Sequence, residues 1–201
     1  YTHTYTSQPY QNTDPTAHIP KHIKRNIIIA TFALLICIYF VAVALYKFSK
    51  EKEAQRTFEH AKAYLAQNNT LNALKNLNEL ITQEPLNTEY LEQRASIWLI
   101  YHNYWQAMED YDKLIQHSKK NKPEWYFNRA KAHFYLYQYD LARKDLDHAI
   151  SLDTQQVKYY QYRAVLKKRM NQDKKSICTD WQKGNQEDKN FYFEEMQVFC
   201  Q

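Results

Sequence analysis

The 201-residue sequence contains one glycine, five prolines and three cysteines. With one glycine the chain cannot build the glycine-rich loops that bring several backbone N–H groups close to a phosphate. Tyrosine, leucine, lysine, glutamine and asparagine dominate instead, and no stretch alternates apolar and polar residues as a strand does, so the expected fold class is all-α. The eight histidines are scattered, and none stands at ligand spacing beside a cysteine or carboxylate. No spacing of serine, histidine and aspartate defines a nucleophile, so the chain reads as non-enzymatic, with no catalytic residue, cofactor or metal expected. The formal charge is +5, but acids and bases are interleaved as on a solvated, ion-paired helix surface. Nucleic acid is therefore not an expected partner.

Charge is missing altogether from residues 27–46, IIIATFALLICIYFVAVALY. About 20 apolar residues are what a helix needs to cross the hydrocarbon core, and an apolar surface on every side suits lipid better than a soluble core. Residues 26–47 are read as an uncleaved transmembrane helix in contact with the bilayer, because Lys47, Lys50 and Lys52 follow where a small-residue cleavage site would stand. Residues 1–25 precede it as an extended tail with a basic juxtamembrane end. Having no apolar periodicity, the tail is either an unstructured leader or a strand-like segment whose tyrosines anchor on a partner. Lys21, Lys24 and Arg25 face Lys47, Lys50, Lys52 and Arg56 across the span, so charge alone leaves the orientation nearly tied.

The remaining sequence, residues 48–201, repeats itself. Ala61, Ala95, Ala130 and Ala164 recur every 34 or 35 residues, and Ala73, Ala107 and Ala142 follow the same period. Arg94-Ala95, Arg129-Ala130 and Arg163-Ala164 recur as a pair, as do Asp110, Asp145 and Asp180, each ahead of a large apolar residue. Small residues in register mark close approaches between two helices, and aspartates that repeat with the fold are read as structural. Helical hairpins are expected over residues 54–85, 88–122, 123–156 and 157–187, with a capping helix over 188–200 and a turn at Asn68-Asn69-Thr70 capped by Thr70.

In these residues the chain resembles the tetratricopeptide repeat (TPR) family, a 34-residue helix-turn-helix with small residues at its eighth and twentieth positions. The run 176–184, SICTDWQKG, is similar to the last repeat of TPR proteins of bacterial cell envelopes. The resemblance implies an α-solenoid of about four hairpins whose first helices line a concave groove through positions two, five, six, nine and thirteen. Carried over, these include Phe127, Asn128, Lys131 and Tyr135 in the third repeat and Lys158, Gln161, Tyr162, Val165 and Arg169 in the fourth. Such a surface suits an extended peptide or partner helix, with aromatic anchors and cations for acidic groups, although an ordinary exposed face reads the same way. The lysine/asparagine clamp by which some TPR proteins hold chaperone tails is broken, because its positions hold Phe58, Lys62, Gln93, Glu124 and Asn128.

Cys178 lies on a repeat helix and Cys200 on the expected cap, so the two are either a disulfide or two buried thiols. A disulfide would imply an oxidising compartment, placing the repeats in the periplasm and the N-terminus in the cytoplasm. The expected function is a membrane-anchored scaffold or adaptor that binds a protein partner, as an accessory subunit of a membrane or envelope complex for secretion, translocation or assembly. The alternative is a purely structural subunit packed permanently into such a complex.

Overall fold

A computed structural model describes residues 20–184 and 193–200. The expected tail over residues 1–19 and the start of the expected capping helix fall outside these residues, whereas the basic end of the tail, residues 21–25, is already helical as the start of α1. Nine helices and no strand occur among the described residues: α1 (Lys21–Ala66), α2 (Thr70–Gln83), α3 (Thr88–Ile100), α4 (Tyr104–His117), α5 (Pro123–Tyr135), α6 (Tyr139–Leu152), α7 (Val157–Arg169), α8 (Lys174–Gly184) and α9 (Phe193–Cys200).

The chain divides into two compact units, Tyr1–Glu53 and Ala54–Gln201. In the first, the apolar run forms part of α1, with mean hydropathy 2.9 over its most apolar window and no residue of that window buried. Among the described residues, α1 is the one helix long and apolar enough to cross a membrane. It continues without a break into the first helix of the first repeat, with no glycine or proline along its length to interrupt it.

In the second unit the helices pair into four hairpins. Asn87 caps α3 by accepting from the N–H groups of Glu89 and Tyr90, and Pro123 opens α5 where its missing N–H is not needed. At α2 the cap is Asn69, whose side chain accepts from the Asn72 N–H at 3.4 Å; Thr70, the expected cap, is already helical. The Thr70 hydroxyl instead meets the Tyr101 hydroxyl at 2.6 Å, a contact with the next repeat that local sequence does not reveal.

Each first helix ends the same way. Asn68, His102, Tyr137 and Asn171 take φ between 54° and 61°, and the N–H of the following residue reaches back to the carbonyls of Tyr64, Trp98, His133 and Lys167. This left-handed ending usually uses glycine. The chain spends its glycine elsewhere, at Gly184, where an added Cβ would stand 2.6 Å from Gln161 Cγ and 2.9 Å from its backbone nitrogen.

The alanine series is buried throughout and lets paired helices approach. One apolar cluster runs from Ala54 and Phe58 to Trp125; a second joins α5, α6 and α7 around Phe127, Leu146 and Tyr159. A third joins Ala164, Val165, Ile177 and Trp181 with Met196 of α9, which covers the last repeat as a terminal helix must.

Candidate functional site

Three arginines of the first helices tie neighbouring hairpins together. Arg94 of α3 donates from Nε and Nη2 to the two carboxylate oxygens of Asp110, at 2.8 and 2.7 Å, and from Nη1 to Asn78 of the preceding hairpin at 2.7 Å. Arg129 repeats this with Asp145 and Asp112, and Arg163 with Asp147 and Asp180. The two-pronged geometry suits guanidinium and not ammonium. Asp110, Asp145 and Asp180 are thus structural, each anchoring an arginine that also reaches back one hairpin. Their partners Asn78, Asp112 and Asp147 recur at the same period, a signal the sequence carried and the alanine register alone did not expose.

Two cations elsewhere have no such partner. Lys131 of α5 and Lys158 of α7 place their ammonium groups 5.7 and 5.4 Å from the centre of the Phe127 ring. Lys131 also lies 6.0 Å from the Tyr162 ring, and Lys158 lies 5.5 Å from Tyr159. Phe127 meets Tyr162 edge-on at 5.0 Å and Tyr159 at 4.9 Å, so three rings form one bed. Neither ammonium forms an ion pair with a carboxylate among the described residues. Burial, with Lys158 beside it, holds Lys131 below the usual lysine range. Glu124 accepts from the Tyr159 hydroxyl at 3.4 Å, and burial followed by that carboxylate raises the Tyr159 phenol.

The expected groove residues therefore separate. Phe127, Lys131, Lys158 and Tyr162 come together, with Tyr159 added; position in the repeat did not point to Tyr159. Phe127 is only 6% exposed, so it is the floor of the bed more than a projecting anchor. Asn128 is half-buried and, with Ser96, faces the buried Tyr111 hydroxyl, which closes no hydrogen bond and is pushed up to about 12 by burial.

Gln161 is a correction. At 1% exposure it is covered, its amide donating to the Gly184 carbonyl at 2.7 Å, and Val165 is buried beneath α9. The terminal elements occupy the inner face of the last repeat, so positions five and nine there are packing positions. Tyr135 and Arg169, the last residues of α5 and α7, sit with Phe134, Tyr137 and Tyr139 around a separate cleft at the hairpin turn.

Cys178 and Cys200 are joined by a disulfide, with sulfurs 2.02 Å apart, which ties α9 to α8. Cys37 is a free, exposed cysteine within the apolar stretch.

No protein-family model matches the sequence, and no curated protein matches it. Solved structures do match. A tetratricopeptide repeat protein from Parabacteroides merdae ATCC 43184 superposes with a TM-score of 0.64 at 16% identity, covering 74% of this chain and 59% of that one. MamA 41-end from Desulfovibrio magneticus RS-1 gives 0.61 at 14% identity, covering 72% and 76%. The first TPR of Spaghetti (RPAP3), bound to the HSP90 peptide SRMEEVD, gives 0.53 at 18% identity, covering 60% and 94%. The fold is that of the tetratricopeptide repeats.

Proposed function

We propose that the protein is a membrane-anchored scaffold whose repeats hold an acidic segment of a protein partner, as a non-enzymatic accessory subunit of a membrane or envelope complex. The observation that carries this reading is the pair of lysines converging on one phenylalanine ring without a carboxylate. Two like charges held together repel, and aromatic faces offset only part of that repulsion, so a carboxylate from outside would find a site already arranged for it. The structural relatives support a protein-interaction scaffold at the level of the fold, and the HSP90 peptide of one of them is itself acidic.

The apolar stretch of α1 supplies the anchor, with residues 26–47 in the bilayer. The Cys178–Cys200 disulfide supports an oxidising compartment for the repeats, hence a periplasmic domain and a cytoplasmic N-terminus. Affinity purification of the full chain from detergent-solubilised membranes tests the central claim. A partner recovered with the native protein is lost when Lys131→Glu and Lys158→Glu are combined. Equal recovery with this variant, shown folded by its helical circular dichroism, sinks the groove reading. Alkylation of intact cells with a membrane-impermeant thiol reagent, before and after reduction, tests the topology. Labelling of Cys178 and Cys200 only after reduction and outer-membrane permeabilisation supports a periplasmic domain.

A further inference from the structure

The hairpin turns carry a second surface, separate from the lysine bed. Around the third turn Phe134, Tyr135, Tyr137, Tyr139 and Arg169 enclose a cleft of about 200 Å³. Its walls are interlocked rings. Tyr135 stacks on Tyr104 of the preceding hairpin at 4.6 Å and 11°, Phe134 meets Tyr135 edge-on at 5.4 Å, and Tyr139 lies 5.7 Å from Phe134 and 6.1 Å from Tyr137. Stacked rings lose little side-chain freedom on binding.

Two features of the cleft point outward. Tyr137 is 80% exposed, although it occupies the left-handed position that only glycine and asparagine take easily, and neither its hydroxyl nor that of Tyr139 bonds to another described residue. Arg169 is exposed and has no acidic partner among the described residues, whereas Arg94, Arg129 and Arg163 each use both ends of the guanidinium. Leu141 and Trp105, close in sequence to Tyr139 and Tyr104, are also exposed. The fourth turn replaces these residues with Asn171, Gln172 and Asp173.

We propose that this cleft docks an extended, proline-containing and acidic segment of a partner protein. Proline rings pack on flat aromatic faces, and a polyproline II segment makes no internal hydrogen bonds, so its carbonyls are available to the Tyr137 and Tyr139 hydroxyls. A carboxylate near the prolines answers the unpaired Arg169 in the two-pronged way that arginine favours. A helix fits less well, since its carbonyls are already used.

The test uses the full chain in detergent micelles and a fluorescent synthetic peptide, SPPEPPES. Saturable binding is expected, weakened about tenfold or more by Tyr137→Ala and by Arg169→Glu, and equally reduced when the peptide is SAAEAAES. Tyr137 is exposed enough that its replacement leaves the helices intact, which circular dichroism verifies. The Lys131→Glu/Lys158→Glu variant keeps a saturable binding of SPPEPPES that is still lost with SAAEAAES and with Tyr137→Ala, which separates this cleft from the groove. The proposal is overturned if SPPEPPES shows no saturable binding, if SAAEAAES binds as well, or if the lysine variant abolishes binding. It is also overturned if sedimentation shows the chain self-associating through Tyr137, the occupant then being a second copy.

Discussion

The first inter-hairpin clamp differs from the two that follow it in one atom type. Arg94 reaches back to the neutral carboxamide of Asn78, whereas Arg129 and Arg163 reach back to the carboxylates of Asp112 and Asp147. Around Arg94 one acid balances one base. Around Arg163 a second acid is present, and Lys167, 2.8 Å from Asp180, restores the balance. Around Arg129 the extra acid has no lysine beside it among the described residues, and the His133 ring lies 3.7 Å from Asp145. The geometry of the clamp is thus constant while its charge is not, which is the signature of a packing device whose surroundings were free to vary. Burial opposes the charge of Asp180, but hydrogen bonds from Arg163 and Lys167 outweigh it and hold the carboxyl below the usual range.

The largest effect that would break the comparison is Asp180→Asn. It leaves Arg163 and Lys167, both largely covered, short of their shared acceptor, and is expected to destabilise by about 3 kcal/mol in urea unfolding. Asp110→Asn, with one cation to satisfy, is expected to lose roughly 1 kcal/mol less. Equal losses would mean that Lys167 contributes nothing.

Next is Gly184→Ala. Leu80, Leu114, Ala149 and Gly184 hold the same place in successive hairpins, all buried, and the last of them has Gln161 packed directly against it. The new methyl would collide with the Gln161 backbone, with an expected loss of about 2 kcal/mol. A midpoint unchanged from the native chain would show that α7 and α8 separate freely.

Acid sharpens the contrast further. A carboxyl whose folded value is depressed contributes stability that is complete above its unfolded value, near 3.9, and is lost as pH falls through the lower folded value. Stability should therefore drop below about pH 4, and the drop should be shallower in Asp180→Asn. Parallel pH profiles for the two proteins would remove Asp180 from the account.

Two smaller changes complete the series. Asn78→Asp makes the first clamp like the others and should stabilise by about 0.5 kcal/mol at low salt, an effect that salt erases. Tyr137→Gly should add up to about 1 kcal/mol by relieving the left-handed position, whereas Asn68→Gly adds little because asparagine already tolerates it. A gain at Asn68 as large as that at Tyr137 would contradict the steric argument.

The alanine period, the arginine–alanine pairs and the charge-free run were enough to read an all-α solenoid behind an apolar helix. Each of these is a one-dimensional regularity, and helices translate such regularities directly into faces. The site was less legible. Lys131, Lys158, Phe127 and Tyr162 follow from register, but register also nominated Gln161, which the end of the solenoid covers, and passed over Tyr159, which a neighbouring helix brings in.

What the sequence by itself determined is the repeat: small residues at fixed spacing compel close helix pairs, and with no glycine or proline in residues 21–66 the apolar run and the first helix of the first repeat form one helix. What only the tertiary structure decided is which polar groups find partners. Arg163 reaches two aspartates on two helices, Lys131 and Lys158 reach none among the described residues, and Cys178 reaches Cys200. Pairing depends on distances between elements that local periodicity does not encode. A solenoid sets those distances anew at each repeat, because every hairpin packs on the particular side chains of the one before it.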